Sequence, residues 1–419
     1  MKTKVSIALT LTLLLVATAA SGWDKELVSM FGPPKPGEEG EFRALAPCVS
    51  ANYNYTIGEL WFPGIYSIGL SLYTGYYPGS SQDQQIFQTG LWAGGYVEGA
   101  EPGEPWTAIA TFDQLDFLRY DSVCSGFNLS QPGLSSLDLV STFDTGNSPH
   151  DLGMRVTLRY MMWEDPRYDD FIVIRADLKF NKSINHFWIG WMSDCDIGNN
   201  SLPDYYYDDL VGYDDIHGLA YMYDDDGDPA FESQPRTKLL SAVHVGQVLL
   251  SAPPPGGRIT ERATQSVEWE TFQWWDWNND VTGDKSAYER MSSGTIKEFP
   301  PDTPFDYRIL TAIGPYEVEA GDSATIYMAI VFGEGLDSDY WRRRPNADGA
   351  MGLGSLVEHT EALKEFFSNG FEIEDPAPHA PVLDTPLIDG RQITLSWHSE
   401  SEEDDDFAGY RVYRSLVSN

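Results

Sequence analysis

Phe171-Ile-Val-Ile-Arg-Ala-Asp-Leu-Lys-Phe180 decides the fold class. Ile172, Ile174, Ala176, Leu178 and Phe180 fall on one face of an extended chain, and Arg175, Asp177 and Lys179 fall on the other. A period of two is the mark of a half-buried β-strand. Upstream, Val156, Leu158, Tyr160 and Met162 alternate with Arg155, Thr157 and Arg159 in the same way. Downstream, Phe187-Trp-Ile-Gly-Trp-Met192 is apolar on both faces, as a strand between two layers must be. The short spacers between the three predict an antiparallel meander.

A second strand pair reads from Tyr307–Ile313 through Gly314-Pro315 and a Gly321-Asp322 turn into Ala324–Phe332. One short helix is expected from the capping box Ser355-Leu-Val-Glu358, with Leu356, Thr360, Leu363 and Phe367 on one face and Gly370 as the stop. The expectation is all-β: a large antiparallel β-sandwich region over 43–373, either one oversized sandwich or two packed ones.

The N-terminus has the layout of a Sec-type signal peptide over residues 1–21. Lys2 and Lys4 precede the apolar run Val5–Val16, and Ala17-Thr18-Ala19 is a small-x-small cleavage site. A Pro/Gly-rich linker follows over 22–42. The expected location is therefore outside the cell, secreted or surface-held, with no membrane span. The chain carries 64 acidic against 27 basic residues, a formal charge of −37. Such a surface repels nucleic acid and suits divalent cations. Of three cysteines, Cys48 with Cys124 is the favoured pair. Cys195, flanked by Asp194 and Asp196, reads as structural or metal-adjacent.

Three acidic stretches have the oxygen donors that Ca²⁺ takes, six to eight at a time in a flexible cage. The first holds Asp194, Asp196, Asn199, Asp208 and Asp209 directly after the buried strand. The second is Asp224-Asp-Asp226-Gly-Asp228, and the third contains Asp276, Asn278, Asp280 and Asp284. Each matches a calcium loop only in part: the second lacks an upstream Asp and a downstream Glu, and the third has its Gly at the eighth position. The bland alternative for each is a solvated acidic loop. Trp274, Trp275 and Trp277 could offer a sugar-stacking surface, against the commoner use of Trp as core packing. No catalytic motif for acyl transfer, zinc proteolysis or nucleotide binding is present in the sequence.

The C-terminal segment, 374–419, resembles the opening of a fibronectin type III domain. The likeness rests on the Pro-rich entry from Pro376, on Gln392-Ile-Thr-Leu-Ser-Trp397 and on Gly409-Tyr-Arg-Val-Tyr-Arg414. A whole domain needs about 100 residues, so the resemblance implies an incomplete sandwich, poor burial of Trp397 and Tyr410, and a longer polypeptide. Gly90-Leu-Trp-Ala-Gly-Gly95, Trp188–Gly198, Asp208–Asp214 and Gly314–Asp322 are similar to regions of large secreted bacterial surface proteins that carry such modules. That resemblance implies a metal-stabilised turn at Asp194 and Asp196. Together these readings predict a non-enzymatic structural or adhesive protein with glycans or other surface proteins as partners. The alternative is a carbohydrate-binding module or a polysaccharide-acting hydrolase or lyase.

Overall fold

The computed structural model describes residues 85–373 apart from 112–115, 120–127, 130–133, 147, 149, 164, 199–205, 225–242, 298–300 and 337–354. It describes the backbone alone at 54–57, 60–63, 71–76, 84, 118–119, 128–129, 334, 387–389 and 392–394. The leader, the linker, Cys48, Cys124, Trp397 and Tyr410 lie outside the described residues. The chain divides into two compact units, 1–367 and 368–419.

The strands in chain order are β1 (Asn54–Ile57), β2 (Leu60–Pro63), β3 (Ser71–Tyr76), β4 (Gln84–Val97), β5 (Trp106–Ile109), β6 (Leu118–Arg119), β7 (Asn128–Leu129), β8 (Leu137–Asp144), β9 (Met154–Met162) and β10 (Phe171–Phe180). They continue as β11 (Ile184–Asp194), β12 (Asp209–Asp214), β13 (Leu219–Asp224), β14 (Val243–Ser251), β15 (Thr271–Asp276), β16 (Tyr307–Val318) and β17 (Ser323–Glu334). Among the described residues, one sheet runs β1-β2-β3-β4-β11-β16-β15 with β5 beside β4. The other runs β12-β13-β14-β17-β10-β9-β8-β6 with β7 beside β8. Strand pairing within both sheets is antiparallel.

Inward side chains of both sheets form one core cluster. Leu91, Ile189, Trp191, Ile309 and Ile313 of the first sheet meet Val156, Leu158, Ile172, Ile174, Val245 and Ile330 of the second. Among the described residues these two sheets make one sandwich, the oversized form of the two that the sequence left open. In β10 the pattern holds as read: Ile172, Ile174 and Leu178 are buried in the core, whereas Lys179 is exposed.

Two expectations about connectivity change. β9 and β10 pair in register from Met161↔Val173 to Met154↔Phe180, but β11 leaves them for the opposite sheet. Likewise the strand pair expected about the Gly321-Asp322 turn does not form, and β16 does not end at Ile313. It stays one strand through a bulge opposite Phe187–Ile189, and β17 crosses to the other sheet. Gly314 is needed there because a Cβ would sit 2.7 Å from the Phe187 carbonyl and from the Trp188 ring. The two crossings adjoin: Phe180 N–H donates to the Asp322 carbonyl at 3.0 Å and Gly321 N–H to the Phe180 carbonyl at 2.8 Å. Alternation reports which face a residue takes and is silent on which sheet the strand joins.

A polar chain ties the sheets through the core. Thr311 Oγ1 donates to Gln247 Oε1 (2.8 Å), Gln247 Nε2 donates to Ser193 Oγ (2.5 Å), and Ser193 Oγ lies 2.6 Å from Thr89 Oγ1. Thr89 in turn donates to the Met192 carbonyl at 2.8 Å and accepts from Trp191 Nε1 at 2.5 Å.

The outer faces are partly covered. Helix α1 (Asp284–Met291) lies on the first sheet, where Ala287, Tyr288 and Met291 pack with Trp92, Trp188, Met192 and Trp275. Helix α2 (Leu356–Ser368) is the expected one. Its capping box forms in both directions, Glu358 N–H to Ser355 Oγ and Ser355 N–H to Glu358 Oε2, each at 3.2 Å. Its buried residues are Leu356, Thr360, Leu363 and Phe366. No described helix is long and apolar enough to cross a membrane. In the second unit, β18 (Leu387–Asp389) and β19 (Gln392–Thr394) pair as an antiparallel hairpin, and Gln392-Ile-Thr is the start of the strand read from the sequence.

Candidate metal centre

The end of β11, the start of β16 and the turn after β15 meet on the outer face of the first sheet. Asp194 is paired across the sheet with Arg308, and Arg308 with Trp275 on its other side. Antiparallel partners share a face, so the three side chains stand in a row. Asp196 extends the row beyond the strand end, and Asp306 comes in two residues before Arg308. One carboxylate oxygen each from Asp194, Asp196 and Asp306 lie within 4.8 Å of one another.

Arg308 faces this group. Its Nη2 is 3.0 Å from Asp194 Oδ2, its Nη1 donates to Asp306 Oδ1, and its Nε is 3.4 Å from Asp280 Oδ1. Asp280 also accepts from Trp275 Nε1 at 2.8 Å. One guanidinium thus serves three carboxylates, while Asp194 is only 1% exposed and Asp196 9%. The Oδ1 of Asp194 is buried with no hydrogen-bond donor.

Burying a carboxylate costs several kcal/mol unless a countercharge repays it. Burial, followed by Asp306, pushes Asp196 up to about 7 despite Arg308. Burial also drives Asp194 well above the usual carboxylate range, with Arg308 opposing and Asp196, Asp306 and Asp280 adding to it. Asp306 is raised by burial against the pull of Arg308. Burial works against the charge on Arg308, yet Asp194, Asp306 and Asp280 together hold it above its ordinary value. The site is short of positive charge.

The remaining sequence candidates separate. Asp209 is wholly buried and Asp224 nearly so; Asp208 is half-buried beside them. Asn199, Asp226 and Asp228 lie outside the described residues. The third stretch does not close into one loop, because it is cut by a 3-10 turn at Trp277–Asn279 and then by α1. Asp276 caps the turn, accepting from Asn278 N–H at 3.0 Å and from Asn279 Nδ2 at 2.8 Å. Asp284 takes His150 Nδ1 at 2.5 Å and Thr107 Oγ1 at 3.1 Å. Asp280 alone of that stretch reaches Arg308.

The three tryptophans do not share a surface. Trp275 points outward and is buried under Arg290, whose guanidinium carbon is 4.1 Å from the ring centre. Trp274, its neighbour on the strand, points inward against Tyr307 and Lys297. Trp277 is 44% exposed and stands apart on the 3-10 turn. Alternation along a strand forbids the row that the sequence suggested.

Cys195 turns into the core as a free, buried thiol. Burial and the nearby Asp209, Asp194 and Asp196 raise its pKa well above the ordinary value, which disqualifies it as a nucleophile. Sequence reasoning missed Asp306 and Arg308. They lie more than a hundred residues from Asp194, and the only local signal is their position astride the first residue of a legible strand.

No protein-family model matches the chain, and no curated protein matches it. Solved structures with a similar course include an aldose 1-epimerase-like protein of Escherichia coli K12, at 9% identity and a TM-score of 0.34, covering 67% of this chain and 98% of that one. A family-36 α-galactosidase of Geobacillus stearothermophilus is also similar, at 10% identity and a TM-score of 0.25, covering 59% of this chain and 30% of that one. The functional reading therefore comes from the residues of the site.

Proposed function

We propose that this chain is a secreted or cell-surface, non-enzymatic structural module whose sandwich is stabilised by Ca²⁺ held between Asp194, Asp196 and Asp306. The observation that carries the reading is the buried Asp194 Oδ1, without a donor, inside a group of three carboxylates within 4.8 Å. The donor set is all oxygen, with the Cys195 sulfur turned away into the core. That composition suits a hard cation and not zinc or copper. Ca²⁺ tolerates the irregular directions from which a strand end and a loop present their oxygens, whereas Mg²⁺ demands a near-ideal octahedron. The sequence-level leader and the acidic surface support the extracellular setting.

A cation that binds only the folded state stabilises it by mass action, about 2.7 kcal/mol when present at 100 times its Kd. For a domain of this size that is on the order of 4 °C in melting temperature. The test is thermal unfolding of the full chain with Ca²⁺ and with chelator. A melting temperature indifferent to chelation, with no calcium found by metal analysis, would overturn the reading.

A further inference from the structure

We infer that a cavity beside the C-terminal half of α2, at the end of the second sheet, is a seat for a single neutral saccharide ring. It needs no Ca²⁺, and none of its residues belongs to the group of Asp194, Asp196 and Asp306.

The cavity measures about 250 Å³. Three segments close it: the last turns of α2 with Lys364 and Phe367, the β12–β13 turn with His217, and the stretch Gln265–Glu268. Its floor is apolar, made by the buried Leu249 and Leu250 of β14. Phe367 is the telling wall. Helical spacing in the sequence puts it on the buried face of α2, but Phe366 takes that place, stacked on Tyr168 with 3.7 Å between ring centres. Phe367 is left half-buried against the Tyr327 ring, 5.1 Å away, and lines the cavity.

The polar groups are held in place. His217 is fixed between Asp214 at 2.6 Å and Glu361 at 3.3 Å. Lys364 Nζ donates to the His217 carbonyl at 2.6 Å, which joins helix and turn and leaves two of its three ammonium protons. Gln265 and Glu268 are exposed at the rim, with no hydrogen-bond partner among the described residues. Lys364 and Glu268 put one charge of each sign there, so neither a bare anion nor a bare cation finds a site of one sign.

Pockets for drug-sized ligands run from about 300 to 1,000 Å³, mostly apolar with a few placed polar groups. This one is smaller and has room for one ring. Its guest must be apolar on a face, to meet Leu249, Leu250 and Phe367, and polar around its edge, to meet Lys364, Glu268 and Gln265. A pyranose has both properties: its ring C–H groups make an apolar face, and each hydroxyl donates and accepts. A free amino acid, the competing guest, carries both charges at one end and would leave much of the rim unused.

Saturation-transfer NMR of the full chain with glucose, galactose, mannose and N-acetylglucosamine, and with free leucine as the competing guest, tests the assignment. The expected result is transfer to the ring C–H protons of at least one sugar and none to leucine, in Ca²⁺ and in chelator alike. Lys364→Met keeps the aliphatic stem and Glu268→Gln changes an exposed side chain; each should weaken binding about tenfold, the worth of one charged hydrogen bond. Two variants keep the test intact if one fails to fold by circular dichroism. Lys179→Met, an exposed lysine away from the cavity, should bind as the parent does. No transfer to any of the four sugars, or transfer undiminished in both variants, would overturn the assignment. Transfer to leucine that is lost in the same variants would give the cavity to an amino acid instead. Sugar binding that disappears in chelator would place the sugar at the metal centre and equally overturn it.

Discussion

Arg308 holds Asp194, Asp306 and Asp280 from one side. Its removal should therefore do two opposite things. Without Ca²⁺, Arg308→Met leaves buried carboxylates unmatched, a class of change that costs about 3–5 kcal/mol. With Ca²⁺ the loss should shrink, because the cation takes over the neutralisation and finds Asp194 free of its arginine. The pH dependence follows from the directions in which these carboxylates are shifted. Asp194, Asp306 and Asp280 are raised in the folded protein, and Arg308 is an influence that lowers them. Losing it raises them further, so they take up protons readily as the pH falls. The deficit of Arg308→Met should be largest at pH 7 and above and smaller at pH 5. Urea unfolding at both pH values, with chelator and with Ca²⁺, checks all four cases. An equal deficit in every condition would mean that Arg308 matters for packing alone.

At the scale of elements, the core polar chain decides how the sheets register. Gln247 of β14 lies among apolar side chains, yet both ends of its amide are used, by Thr311 and by Ser193. Gln247→Leu takes one bond from each of two buried hydroxyls, and although Ser193 keeps Thr89 and Thr311 keeps the Trp191 carbonyl, the loss should cost about 1–3 kcal/mol in all. The triple change Gln247→Leu, Thr311→Val, Ser193→Ala should recover much of that, since it removes the two hydroxyls that Gln247 served, while Thr89 keeps the Met192 carbonyl and Trp191 Nε1. Denaturant midpoints of the single and triple variants measure the difference; a triple variant no better than the single one would place the cost in packing. This network also shows where sequence reading ends. Ile172, Ile174 and Leu178 announced their face through alternation, and Ser355 with Glu358 announced a helix start through capping chemistry. These are local rules, and they held. Gln247, Ser193 and Thr311 carry no local sign of belonging together, because their contact is made by strands in opposite sheets. For the same reason β11 and β17 were legible as strands but not as crossings. Helix α1 escaped for another reason. Asp-Lys-Ser-Ala-Tyr-Glu-Arg-Met is mostly polar, and only Ala287, Tyr288 and Met291 are buried, too few in eight residues to show a helical period.

For the molecule as a whole, charge outweighs every other surface property, and it acts in two ways that salt can separate. The chain carries a formal charge of −37, and such self-repulsion destabilises the compact state. Screening should relieve it. The Debye length falls from about 10 Å at 0.1 M to about 3 Å at 1 M salt, so the melting temperature in chelator should climb gradually with NaCl and show no saturation at low concentration. The carboxylates at Asp194, Asp196 and Asp306 belong to a different regime. They are largely enclosed and lie within a few ångströms of one another, so NaCl should do little for them while Ca²⁺ at far lower concentration should do a great deal. The double variant Asp194→Asn, Asp306→Asn tests the separation. It should keep the gradual NaCl response of the parent and lose the saturable Ca²⁺ response. Should the variant lose the NaCl response together with the Ca²⁺ response, the acidic end of the sandwich would be acting as part of the general surface charge. Calcium would then stabilise the chain by screening alone.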